Sequence, residues 1–129
     1  MGRLNHFWLA LLAVFLVAAG RPAKARAQAV AADTAVLSDQ VIDAGRTIFH
    51  ASGTCHACHG DDLQGGPMAP SLRGPKWRHI DGSFREILLR IREGRDGTLM
   101  VASPGDISGP EALQVATYVW AVSQGKAKP

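Results

Sequence analysis

Cysteine is scarce in this chain: there are two among 129 residues, at positions 55 and 58. A structural zinc site needs four ligands, usually two cysteine pairs or one pair with two spaced histidines, and no second pair exists. A disulfide between Cys55 and Cys58 would close too short a loop to restrain much unfolded-chain entropy. Long apolar runs are missing too. The longest, Phe7 to Ala19, is thirteen residues, short of the roughly twenty that span a bilayer. No strand pattern, internal repeat or low-complexity tract appears anywhere, so a thioredoxin-like C-x-x-C, which belongs to a βαβ pattern, lacks its setting. Nor is there a carboxylate pair, a nucleophile beside a base or a phosphate-binding glycine loop. Asp61 and Asp62 are adjacent in a loop, point apart as easily as together, and receive no acid-base role.

What is present centres on Cys55-His56-Ala57-Cys58-His59. C-x-x-C-H is the spacing of c-type haem attachment. Two thiols three positions apart on one turn can add to the two vinyl groups on one edge of a porphyrin, and the next imidazole is carried beneath the iron. His59 is therefore the proximal ligand candidate. Such a ring must be neutral and aimed, usually by its other N–H donating to a carbonyl.

The start of the chain reads as a secretory leader: Arg3 and His6, the apolar run, then Gly20, Arg21, Pro22 and small residues offering cleavage near 25–29. Four of the fourteen basic residues and none of the eleven acids precede residue 30. Cleavage would leave a near-neutral protein, so the basic pI of 9.2 says nothing of nucleic acid. The expected organisation is a leader over 1–29, a loose arm over 30–37, one domain over 38–125 and a tail over 126–129. The exported product would be periplasmic, with no stable membrane span.

Within the domain, Ser38 can cap a helix over Asp39 to Phe49, with Val41, Gly45, Ile48 and Phe49 on one face. Gly45 is costly mid-helix, and its use is to let another backbone approach. Ser83 with Glu86, and Ser108 with Glu111, read as capping boxes opening helices over Phe84 to Glu93 and Glu111 to Gln124. The first carries the stripe Phe84, Ile87, Leu88, Ile91. Arg85, Arg90 and Arg92 lie off it and read as a solvated face. The second presents Leu113, Ala116, Tyr118 or Val119, and Trp120. Residues 60–82 are rich in glycine and proline and form a long loop, of a length usually functional or wrapped on something. The fold class is all-α: three main helices and loops around a covalent haem.

These residues resemble the mono-haem class I cytochromes c, through Gly45 with Phe49, the Cys55 to Gly60 motif, Pro70-Ser71-Leu72, Met100 and Tyr118. The resemblance spans essentially the whole domain from Asp39 on. It implies that the first and last helices cross near Gly45 and Tyr118, and that the carbonyl of Pro70 receives the second N–H of His59. It also implies a thioether as sixth ligand, a pairing with histidine that raises the reduction potential. Met68 follows His59 by nine residues and Met100 by 41. Met68 stands just before Pro70 on the histidine side, so Met100 is favoured. Val101 follows it where the family commonly has proline, which implies a looser loop, with His79 as the substitute ligand at high pH. Trp77 and Arg78 can donate to a haem propionate, the alternative for Trp77 being an aromatic plug.

A six-coordinate iron suits single-electron transfer rather than catalysis. The expected function is a non-enzymatic electron carrier of a respiratory chain whose partners are redox proteins, a dehydrogenase or a terminal oxidase. The alternatives are a cytochrome subunit committed to a quinoprotein dehydrogenase or oxidase complex, and a haem enzyme or gas sensor with an open distal face. Against the last, no distal His/Arg pair stands at a peroxidase-like spacing.

Overall fold

The computed structural model describes residues 37–129. The leader, and the arm but for Leu37, lie outside the described residues. Helix α1 spans Asp39–His50, α2 His56–His59, α3 Phe84–Glu93 and α4 Gly109–Ser123, with a 3-10 turn at Pro104–Asp106 before α4. There is no strand among the described residues, and no helix long and apolar enough to cross a membrane. The fold is all-α.

Each long helix starts where a serine satisfies an otherwise orphaned N–H. Ser38 accepts from Val41 N at 3.4 Å, Ser83 from Glu86 N at 3.3 Å and Ser108 from Glu111 N at 3.4 Å. The box at Ser108 is complete, since Glu111 Oε2 accepts from Ser108 N at 2.8 Å. At Ser83 it is only half formed. Asp81 Oδ1, not Glu86, accepts from Ser83 N, at 2.8 Å, the bond to the N–H two residues on that an aspartate side chain commonly makes.

The buried stripe of α1 is Ile42, Gly45 and Phe49, while Val41 and Ile48 are only half-buried. Gly45 is where α4 crosses. A Cβ built there would collide with the Gln114 carbonyl oxygen and stand 2.9 Å from Tyr118 Cβ. Beside the crossing, the rings of Phe49 and Tyr118 meet edge to face, centroids 5.6 Å apart.

Helix α4 departs from the single face its sequence implies. Ala112, Val115, Ala116, Thr117, Tyr118, Val119, Ala121 and Val122 are buried, whereas Leu113 and Trp120 are half-exposed. It packs on both α1 and α3, and a helix contacted from several sides is apolar nearly all round. Burying a side chain the size of Phe49 or Val115 contributes about 1.5–3 kcal/mol, so this helix is the spine of the core. The last residues fold back onto it. Lys126 N donates to Ala121 O at 2.8 Å, and Arg46 Nη2 on α1 donates to Lys128 O at 3.1 Å.

The 60–82 loop is organised by Leu63, fully buried in a left-handed conformation (φ 58°). Leu72 N donates to its carbonyl at 2.9 Å and Ser71 Oγ at 3.3 Å, which draws the Pro70 segment back toward α2.

Candidate functional site

Helix α2 is one turn long and ends on His59. Gly60 follows at φ 79°, a left-handed conformation that glycine adopts without penalty. The loop then returns, and Gly65 N donates to His59 O at 2.7 Å. The return sets Pro70 O 2.9 Å from His59 Nδ1. A carbonyl only accepts, so the proton sits on Nδ1 and Nε2 keeps its lone pair. Burial pulls the His59 pKa down, partly opposed by the Pro70 carbonyl. The ring is thereby neutral at physiological pH and oriented, as a metal ligand requires.

The cysteines are half-buried free thiols. Burial pushes Cys55 up to about 11, its hydrogen bond with the backbone lowering it and the neighbouring Cys58 raising it. Its Sγ lies 3.3 Å from Gly53 O. The motif's other histidine, His56, has Nδ1 3.4 Å from Phe49 O, and His50 has Nδ1 3.9 Å from Asp61 Oδ1. Neither lines the cavity described next.

A cavity of about 350 Å³ is lined by Cys55, Cys58 and His59 together with Pro70, Trp77, Arg78 and Met100. All seven site residues singled out in the sequence thus meet at one place. Phe49, Leu72, Ile80, Ile87, Ile91, Val115 and Val119 give it an apolar interior. Its cationic lining is Arg78, Arg90 and Arg95, with His79 beside them, and among the described residues no aspartate or glutamate lines it. An apolar slot with cations, two thiols and a ligand-ready imidazole fits a porphyrin, whose body is apolar and whose propionates are anionic.

Both methionines line the cavity, but on differently tethered loops. Met68 lies in a turn closed by Gly66 N donating to Ala69 O at 2.9 Å, next to Pro70, and is 59% exposed. Met100 is held to the end of α3. Arg95 N donates to Met100 O and Ser103 N to Ile91 O, each at 2.8 Å. Gly94, at φ 68°, lets that strand of backbone pass: a Cβ there would meet Ala102 N at 2.7 Å.

Two placements correct the sequence reading. Arg90 is not on a solvated face: it lines the cavity, and its Nε is buried without a hydrogen-bond partner. Three residues after Ile87 and one before Ile91, it flanks the buried stripe, and a long stem lets an arginine follow apolar surface. Arg85 and Arg92 are exposed as expected. Arg95 also lines the cavity and was missed, since nothing in an irregular stretch marks which way a side chain points. His79 is exposed at the lining. Desolvation lowers its pKa, with Arg95 and then Arg78 adding to the effect. Trp77 packs under Gly82, where any Cβ would strike the indole.

A family model described as cytochrome c oxidase, cbb3-type, subunit III matches residues 40–119. Cytochrome c-554(548) of Halomonas halodenitrificans is 33% identical over 67 residues, which cover 51% of this chain and 81% of that protein. No solved structure matches.

Proposed function

The chain belongs to the cytochrome c family, class I, and on that premise we propose that it is a periplasmic one-electron carrier with a single haem c attached through Cys55 and Cys58. The observation that carries this reading is the 2.9 Å approach of Pro70 O to His59 Nδ1, which leaves Nε2 free in a cavity that Met100 also lines. When bound, the haem supplies a reversible one-electron couple. The protein's part is to hold and tune it. His59 is kept neutral and aimed; Met100 is offered by a loop anchored to α3; the apolar lining excludes water, with Phe49, Val115 and Val119 among its residues. His59 and Met100 are the residues that would hold the iron, and an imidazole-thioether pair would supply a raised-potential couple rather than substrate or gas binding. Export is supported by the basic, apolar and small-residue order of residues 3–29.

The test is the ferric absorption spectrum of protein matured in an exporting host. A far-red iron-thioether charge-transfer band is expected in the wild type and in Met68→Ala, and is expected to vanish in Met100→Ala. Its absence from the wild type would overturn the carrier reading in favour of an open distal site.

A second reading is favoured by the subunit III match over residues 40–119: a cytochrome module working inside a terminal oxidase or a dehydrogenase complex. Its electron-transfer role would be the same and its partner fixed. Purification of the native protein distinguishes them, a free carrier eluting alone and a subunit eluting with an oxidoreductase.

A further inference from the structure

Met100 has little beside it to hold it where a ligand must stand. Its neighbours Leu99 and Val101 are 72% and 62% exposed, so neither packs, and Val101 lacks the ring by which a proline would fix the backbone. Upstream, the loop is tied to α3 where Arg95 N bonds Met100 O and Ser103 N bonds Ile91 O. Downstream, it ends in the turn Pro104–Asp106, where Ser103, Gly105 and Asp106 have φ of 42°, 69° and 57°. Serine is uncommon in that left-handed region, and such strain persists only where the surroundings impose it. Here the end of α1 imposes it. A Cβ built at Gly105 would run into the Ser52 carbonyl oxygen and stand 3.3 Å from Gly53 Cα. Ser52 and Gly53 are in turn pinned, Gly53 N donating to Ile48 O at 2.8 Å and Thr54 N to Ala51 O at 3.1 Å. A Cβ at Gly53 would lie 3.1 Å from Cys55 Sγ. On its other side the turn is closed by Asp106 N donating to Ser103 O at 2.9 Å and followed by Ile107, buried in the core.

We propose that Gly105 is a positioning residue for Met100: it seats the far end of the thioether loop on Ser52, so that one backbone contact joins the segment carrying Met100 to the segment carrying Cys55. This rests on the function proposed above. A loop fixed at both ends loses little further freedom when its side chain binds, so the thioether is offered at low entropic cost. Glycine is needed because the opposing atom is a backbone oxygen, which cannot turn aside as the end of a side chain can. A Cβ at position 105 has to lift the turn off Ser52. The nearest slack is the exposed stretch Val101 and Ala102, directly beside Met100, so the displacement is taken up where it loosens the ligand. His59, held from the opposite loop by Pro70 O, is left as it was.

The experiment titrates ferric holoprotein at one neutral pH with imidazole, an external base that takes the thioether's place, and follows loss of the far-red band. Wild type, Gly105→Ala, Gly105→Asn and Gly125→Ala are compared, with haem content and helical circular dichroism measured for each. Gly125 also has a positive φ, 68°, but nothing lies within 4 Å of a Cβ there, so its alanine variant carries left-handed strain without a contact. Asparagine visits the left-handed region more readily than alanine, so Gly105→Asn carries the contact with less strain. The imidazole concentration at half-displacement is expected to fall about tenfold in both Gly105 variants, because apparent affinity scales with the fraction of chains whose sixth position is open. In Gly125→Ala it is expected to match the wild type. Gly105 variants that both match the wild type would overturn the assignment, and so would an equal fall in Gly125→Ala. A fall in Gly105→Ala that Gly105→Asn does not share would overturn it too, strain and not the seat being then the cause. Gly105 variants that take up no haem or do not fold, while Gly125→Ala does both, would assign the contact to folding or attachment and overturn it likewise. A haem-loaded wild type without the band would instead refute the proposed function.

Discussion

Gly45 and Gln114 touch backbone to backbone, the missing Cβ of the glycine making room for the Gln114 carbonyl. Replacing Gly45 by alanine would gain about 1 kcal/mol of helix propensity. Against that, a backbone oxygen cannot swing away as a side chain can, and overpacking of this kind costs typically 1–3 kcal/mol and occasionally more. Gly45→Ala is therefore expected to destabilise the protein by about 1 kcal/mol, the overpacking cost less the propensity gain, read as a lower midpoint in denaturant unfolding, with Gly66→Ala as the control because nothing lies near a Cβ there.

The cavity makes folding depend on its occupant. An empty apolar space of about 350 Å³ costs on the order of 8 kcal/mol at about 24 cal/mol per Å³, an upper figure because its mouth is open to water. Whole domains are stable by only about 5–15 kcal/mol. A variant with Cys55 and Cys58 both changed to alanine is expected to lose haem and most of its helical circular dichroism. A compact, cooperatively melting apo form would contradict this.

Gly94 sits at φ 68° with the Met100 loop packed against it. Gly94→Ala adds backbone strain of about 1–3 kcal/mol, because φ 68° with ψ −156° is a region essentially confined to glycine, and pushes on Ala102 N. The haem content is expected to be unchanged, while the far-red thioether band disappears at a lower pH than in the wild type.

Acid stability is expected to involve the helix caps. The hydrogen bonds from Ser108 hold the Glu111 carboxyl below its ordinary 4.5, and Ser83 holds Asp81 below its ordinary 3.8. A carboxylate depressed in the folded state contributes stability above its unfolded pKa and loses it as pH falls through the folded value. The stability difference between wild type and Glu111→Ala is therefore expected to be constant at neutral pH and to shrink below about pH 4.5. Ser108→Ala is expected to cost about 1 kcal/mol at neutral pH. Chemical denaturation across this range measures both.

The three long helices and the Cys55 to His59 motif were legible because each is local: serine caps, a 3.6-residue stripe, a fixed thiol spacing. Gly45 marked a close backbone approach, but that the last helix makes it came only through family likeness. The Pro70 carbonyl beside His59 was legible only through family likeness, since it depends on a loop whose course is set by buried Leu63 and by positive-φ residues with no periodic signal. Arg90 was misread for a related reason. A residue flanking a stripe belongs to solvent or to a cavity according to what packs opposite, and the sequence of one helix does not contain that information. The near-complete burial of α4 likewise reflects contact with both α1 and α3, which no single-face pattern conveys.

The covalent haem is tested most directly by intact-mass measurement of protein matured in a periplasm-exporting host, paired with a pyridine haemochrome spectrum. The expected result is one haem per chain, carried by two thioether links at Cys55 and Cys58. A mass equal to the polypeptide alone, with no tetrapyrrole adduct, would contradict it.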